Sequence, residues 1–190
     1  KNAHITMIDP LDVAKQYSGH IAERIGNADF HQALVGDPIT DDEEVDFHCV
    51  DIDKNPNLNL SGSSLYKERN NFPFVTKKIK QTTVENLLKN DEHKYSLVKI
   101  STQGAELDVL HGFGHRLDDV ECILMKMNLL DYNIDAPLIG KVLHKMEQWG
   151  FVLVNLPEEH RMNTEHLFQV DGLFLRPDSP YRLQPPFFGG

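Results

Sequence analysis

The stretch Leu97-Val-Lys-Ile-Ser-Thr-Gln-Gly-Ala-Glu-Leu-Asp-Val-Leu-His-Gly112 constrains this chain more than any other. Leu97 to Ile100 is a short apolar run rich in β-branched residues, the pattern of a strand buried on both faces. Ser101 and Thr102 break the run with small polar side chains able to cap a helix, and Gly104 permits a close turn. Ala105, Leu107, Val109 and Leu110 then form a helical apolar stripe, ended by Gly112 and Gly114. Strand, tight polar turn and helix in that order build ligand sites in open α/β sheets, because groups at a strand's carboxyl end face the crevice.

The flanking segments follow the same pattern. His4 to Ile8 reads as a strand ending at Asp9-Pro10, and Leu11 to Ile25 as a helix with Val13, Tyr17, Ile21, Ala22 and Ile25 on one face, stopped by Gly26-Asn27. Phe30 to Val35 is the next strand, closed by Gly36-Asp37-Pro38. The acidic run Asp41 to Glu44 reads as a loop, and Val45 to Ile52 alternates as a half-exposed strand. Asn55 to Asn71 is dense in Asn, Ser, Gly and Pro, and irregular segments of that length are usually functional or mobile. Phe74 to Lys80 is a strand, and Thr82 or Thr83 caps a short helix through Leu88.

Beyond the central unit, Glu121 to Met127 is a strand. Leu138, Ile139, Val142, Leu143, Met146 and Trp149 make the clearest amphipathic helix, ended by Gly150. Phe151 to Leu156 and Phe168 to Leu175 read as a hairpin joined by the polar segment Glu158 to Glu165. This order predicts an α/β fold: a doubly wound, mostly parallel sheet with a C-terminal antiparallel hairpin. We expect one domain over 1–177 and a tail over 178–190 that carries Pro185-Pro186-Phe187-Phe188.

A chain of 190 residues can enclose a sizeable core. Its formal net charge of −10 argues against a nucleic-acid groove, which needs a basic stripe. The one local basic run, Lys77-Lys78-Ile79-Lys80, reads as the solvated side of a strand. No window approaches the roughly 18 apolar residues of a membrane span. Cys49 and Cys122 lie far apart on predicted strands, which fits free thiols in a soluble protein of a reducing, intracellular compartment. Neither has a neighbouring base. Among ten histidines, His111 and His115 are separated by helix-breaking glycines, and His160 and His166 lack a third ligand at zinc-like spacing, so no metal is expected. No G-x-S-x-G or P-loop motif occurs.

Val98-Lys-Ile-Ser-Thr-Gln-Gly-Ala-Glu-Leu-Asp-Val-Leu-His-Gly112 resembles the signature of the FkbM-type methyltransferases, a lysine–isoleucine–aspartate run followed by a Glu- or Gln-Gly-Ala-Glu segment. Asp9-Pro10 stands where such proteins carry an acid and a proline at the end of the second strand, and Ala33-Leu-Val-Gly-Asp37 resembles their third-strand exit. Ser63-Ser64-Leu65 resembles a serine pair in their loop. Trp149-Gly150-Phe151 and Gln169-Val-Asp-Gly-Leu-Phe174 resemble their C-terminal hairpin. The resemblance implies a Rossmann-like class I methyltransferase fold that binds S-adenosylmethionine and transfers its methyl group, typically to a hydroxyl oxygen. On the matching positions it implies Asp9 as a ribose ligand, Asp37 near the adenine edge, and Ser63 and Ser64 in a covering loop. It also implies Gly104 beside the cofactor, and Ser101, Gln103 and Glu106 on the cofactor–acceptor side.

The chain departs from that pattern in three places. The family's first strand and glycine-rich turn are absent, and because the chain opens on Lys1 and enters a strand almost at once, we expect a segment upstream of it. Ser101 replaces the usual aspartate, and Lys126 stands where the next strand commonly ends in glutamate. Both changes make the crevice more positive, which disfavours a cationic cofactor. Two functions therefore compete. One is an S-adenosylmethionine-dependent O-methyltransferase with an unknown acceptor. The other is a catalytically inactive methyltransferase-fold subunit that meets protein partners through its tail.

Several of these residues also have plain structural readings. Asp9 can be a strand-end acid before a proline turn, and Gln103 and Glu106 can be first-turn helix residues. Lys99 suits a sheet margin, and Lys126 can snorkel from a strand end. Asp171, between apolar neighbours, needs a partner.

Overall fold

β1 (Ile5–Asp9) runs parallel to β2 (Ala28–Gln32), with α1 (Ala14–Ile25) crossing between them. The computed structural model describes residues 3–40, 42–162 and 165–183. α1 starts later than the periodicity predicts. Pro10 follows the strand, and the Asp9 carboxylate accepts the Leu11 N–H at 2.8 Å, which holds the intervening residues in turns. Gly26 ends α1 in the left-handed region, at φ 79°. The predicted strand Phe30–Val35 is instead two strands. After β2 the Ala33 N–H returns to the Asp9 carbonyl, and β3 (Leu34–Val35) departs to pair in parallel with β5 (Phe74–Thr82).

β4 (Glu43–Val50) lies antiparallel to β5, so Glu43 and Glu44, expected in a loop, belong to a strand. That pairing explains the lysine run: Lys78 Nζ is 2.8 Å from Asp46, and Lys80 stands opposite Glu44. Thr83 is the residue that caps α2 (Val84–Leu87), accepting the Asn86 N–H at 3.0 Å.

β6 (Leu97–Ile100) pairs in parallel with β7 (Cys122–Asn128), Leu97 opposite Cys122 and Ile100 opposite Met125, with α3 (Glu106–His111) between them. After α4 (Ile139–Gln148), β8 (Val152–Met162) and β9 (His166–Leu175) form the hairpin, and β9 pairs antiparallel with β7. The polar segment after Glu158 is not merely a connector. β8 continues to Met162 through three register shifts, which let a long exposed edge follow the twist of β9.

β6 is also not buried on both faces. Leu97 is 62% exposed, because the strand is the edge of its sheet and only its Ile100 end enters the core. Among the described residues the strands form three separate sheets, β1-β2, β3-β5-β4 and β6-β7-β9-β8. Parallel pairings are matched in number by antiparallel ones, because the long β4 and the β8–β9 hairpin both return against their neighbours. The architecture is mixed α/β rather than one continuous, mostly parallel sheet.

The main core lies between the four-stranded sheet and the two helices flanking β7. Ile123, Met125 and Met127 alternate along β7 and pack with Leu107 and Leu110 of α3 and Val142 and Met146 of α4. A smaller cluster joins Leu34, Phe47 and Cys49. Cys49 and Cys122 are both free thiols, pushed up by burial. No helix among the described residues is long and apolar enough to cross a membrane. Asp41, the Tyr17 side chain, residues 163–164 and the tail from 184, including Pro185-Pro186-Phe187-Phe188, lie outside the described part.

Leu110 has no exposed surface, whereas Leu130 is 45% exposed. Leu110→Ala is expected to lower stability by about 2–5 kcal/mol and Leu130→Ala by less than about 1 kcal/mol. Urea denaturation of the two variants checks that order.

Candidate functional site

β1 and β6 wall one cleft of about 470 Å3 that runs along both strands and includes their carboxyl ends, a volume typical of small-molecule sites. Thr6, Ile8 and Asp9 form one wall, Leu97 to Thr102 the other, and Ser61 and Ser63 of the irregular loop contribute a third side. Of the residues singled out from the sequence, the cleft brings together Asp9, Ser63, Ser101 and Gln103. Asp37, Ser64, Gly104 and Glu106 are not part of its lining.

Three of those four build the corner rather than line it. Gln103 and Gly104 both have positive φ, 54° and 109°, so the chain reverses sharply between β6 and α3. A side chain as large as glutamine persists there only where its surroundings hold it. Ser64 supplies one hold: its hydroxyl lies 2.8 Å from the Thr102 carbonyl and 3.0 Å from the Gln103 carbonyl, and it accepts the Tyr66 N–H at 3.1 Å. Glu106 supplies the other, its two carboxylate oxygens accepting the Thr102 and Gly104 N–H groups, each at 2.9 Å. Gly104 is required, since a Cβ there would stand 2.6 Å from the Ala136 Cβ. The helix cap expected from Ser101 or Thr102 is absent: α3 begins after Ala105 with no side-chain cap, and the Glu106 carboxylate satisfies the turn instead.

Glu106 is 5% exposed. Burial pushes its carboxyl up to about 7, against the lowering effect of the N–H groups of the turn and of Lys126. Asp9 is also raised by burial, partly offset by the Leu11 N–H that its Oδ1 accepts. No partner for Asp9 Oδ2 is found among the described residues, which leaves that oxygen available to the cleft. Thr102 is a lining residue that sequence reasoning treated only as a cap. Its Oγ1 is buried without a hydrogen-bond partner among the described residues, a condition that costs about 1–3 kcal/mol and that a bound polar group relieves. Asp37 lies elsewhere, its Oδ2 2.7 Å from His111 Nδ1 at the end of α3.

A polar ladder leads away from Gln103 across the sheet. Gln169 Nε2 donates to Asn128 Oδ1 at 2.7 Å and reaches Gln103 Oε1 at 3.4 Å. Two register steps further, on the same face, Lys126 stands opposite Asp171. Lys126 Nζ is 2.7 Å from His160 Nε2 and 3.4 Å from Asp171 Oδ1, with both charged side chains about nine-tenths buried. Lys126 therefore does not snorkel to solvent, and Asp171 finds the partners its burial requires. The signal that joins them is the β7–β9 register, which becomes visible only once the strand order is known.

Glu106 carries the pH dependence of this corner. Its carboxyl sits near 7 when folded and near the ordinary glutamate value when unfolded, so between those values the folded chain binds a proton more readily. The contribution to stability is fully present below that interval and is lost as pH rises through it, by up to about 3 kcal/mol. Glu106→Gln is expected to remove this slope. Urea midpoints of both proteins across the interval are the check.

Residues 15–153, 139 of the 190, match the methyltransferase FkbM domain. The match runs from within α1 to within β8, so it contains the whole corner and Asp37, while Asp9 lies just before it. No curated protein and no solved structure matches the chain. S-adenosylmethionine use is general in that family, and membership implies a methyltransferase fold. With the corner sequence, the cleft at two strand ends and a match over most of its length, the chain belongs to the methyltransferase FkbM domain family.

Proposed function

We propose that this chain binds S-adenosylmethionine in the cleft and transfers its methyl group to a hydroxyl oxygen, within a Rossmann-like class I fold. The observation that carries this reading is that Asp9 and the Ser101–Gln103 corner, each at the carboxyl end of its strand, line one cleft. The residues present fit the cofactor. Asp9 has a carboxylate oxygen to accept ribose hydroxyls, Thr102 has a buried hydroxyl lacking a partner, and Leu34 and Val35 give apolar surface at the β3 exit. Asp37 lies outside the cleft lining, with one carboxylate oxygen held by His111.

When bound, S-adenosylmethionine supplies a methyl group made electrophilic by its sulfonium. The work of the chain is placement, which in well-oriented sites accounts for a large part of the rate. Asp9 holds one wall, while Ser101 and Gln103 present hydroxyl and amide groups from the other. Gln169 and Asn128 fix the Gln103 amide from behind. A general base is needed only where the acceptor must lose a proton.

The alternative, a non-catalytic subunit, drew on Lys126 as a cation repelling the cofactor, on Ser101 in place of the usual aspartate, and on the tail. Lys126 is instead paired with Asp171 and bonded to His160, so its part of that argument loses weight, while the Ser101 replacement stands. The tail that was to hold protein partners lies mostly beyond the described residues.

Calorimetric titration of S-adenosylmethionine is expected to show saturable binding that weakens about tenfold or more in Asp9→Ala, the loss of a hydrogen bond to a charged group. An absence of both heat and thermal shift at millimolar ligand would overturn the proposal.

A further inference from the structure

We propose that the segment Gln184-Pro-Pro-Phe-Phe-Gly-Gly190 docks on one face of the four-stranded sheet and seats Phe187 and Phe188 in a groove there. The groove, of about 1040 Å3, lies along the starts of β6, β7 and β8 and the end of β9. Leu97, Cys122, Val154, Leu173 and Leu175 line it from the sheet, and Pro180 to Leu183 line it from the chain that follows β9.

The sheet shows why this face needs a cover. Side chains alternate across a strand, so Ile123 and Phe174, which join the core beside α3 and α4, stand on one face. Cys122, Leu124, Leu173 and Leu175 stand on the other. Sheets with parallel strands are ordinarily covered on both faces, yet no α-helical residue lines the groove among the described residues. Leu97 is left 62% exposed, and Leu183 70%. An apolar surface of this kind with polar groups at its rim marks a contact.

The occupant follows from where the described chain leaves off. Leu183 already lines the groove, so the next seven residues start there. Pro185-Pro186 favour the extended polyproline form, and at its rise Phe187 and Phe188 come no further than roughly 12–16 Å from Leu183. They are the large apolar side chains of the segment. Glu121 supplies an independent reason. Its Oε1 is buried with no hydrogen-bond partner among the described residues, and Glu121 lines the groove. The other charged side chains of the groove are satisfied, Asp119 by Lys94 Nζ at 2.7 Å and Arg182 by the Pro177 carbonyl at 2.9 Å. The Gln184 carboxamide and the backbone N–H groups beyond Pro186 are donors of the kind that Glu121 Oε1 lacks.

A second copy of the chain is the rival occupant, and mass action separates the two. A dimer dissolves on dilution, whereas linkage gives the segment an effective concentration of about 1 mM at any dilution. The docked segment also has a bearing on the site. Leu97 lines both this groove and the cleft beside β1, so a segment seated against it supports the wall of that cleft.

The two free thiols provide the test. Cys122 lines the groove, while Cys49 belongs to the smaller core cluster and serves as the internal control. Thiol labelling with a disulfide reagent at one fixed pH reads access to each, and mass spectrometry identifies the labelled cysteine. Deletion of residues 184–190 is expected to speed labelling of Cys122 about tenfold. That is the factor by which an effective concentration of about 1 mM exceeds an intrinsic dissociation constant of about 0.1 mM for two buried phenyl rings. The full-length double substitution Phe187→Ala and Phe188→Ala is expected to give most of the same increase, with the Cys49 rate unchanged in both variants. An unchanged Cys122 rate in either variant, a rise shared equally by Cys49, or protection of Cys122 that fades on dilution of the full chain would each overturn the proposal.

Discussion

Everything chemical in this protein depends on one buried carboxylate holding two backbone N–H groups. Glu106 accepts from Thr102 and Gly104 across a turn that places two successive residues at positive φ. Without that acceptor the turn would leave two donors buried and unsatisfied, and the reversal would have nothing to hold it. The same carboxylate is desolvated by the core that supports it, so the corner is fixed by a group whose charge the fold itself disfavours. Lys126, paired with Asp171 across the β7–β9 register, offsets part of that cost through its charge.

The sequence foretold the elements better than their assembly. Leu97–Ile100, the α4 periodicity and a threonine cap at Thr82 or Thr83 were legible because each is a local pattern with a local cause. The division into three sheets was not, since pairing between strands far apart in the chain leaves no periodic trace. Leu97 shows the limit: a short apolar run reads as doubly buried, yet burial is set by how many neighbours the strand acquires. The polar stretch after Glu158 misled in the opposite sense, because a twisted edge strand tolerates charged residues that a central one would not.

The site divides in the same way. Asp9 and the Ser101–Gln103 turn were visible as strand-end polar groups, and the cleft unites them. Glu106, Ser64 and Gly104 stood out through the family resemblance, and in the structure they support the corner. A motif records which residues a turn needs, without saying which of them face the ligand and which face the protein. Thr102, Lys126, His160 and Asp171 were each noted singly, but what joins or isolates them was not legible, because it is relational: a missing partner in one case and a cross-strand partner in the other.

Ser64 has one proton and two carbonyls to serve, those of Thr102 and Gln103, and it sits in the long irregular loop beside the cleft. The loop and the turn are consequently one mechanical unit at that point. Lifting the loop at Ser64 would release Gln103 from its left-handed backbone and blunt the corner at the moment a ligand arrived. Any rearrangement of this loop that leaves the corner intact must therefore keep Ser64 in place against the Thr102 and Gln103 carbonyls.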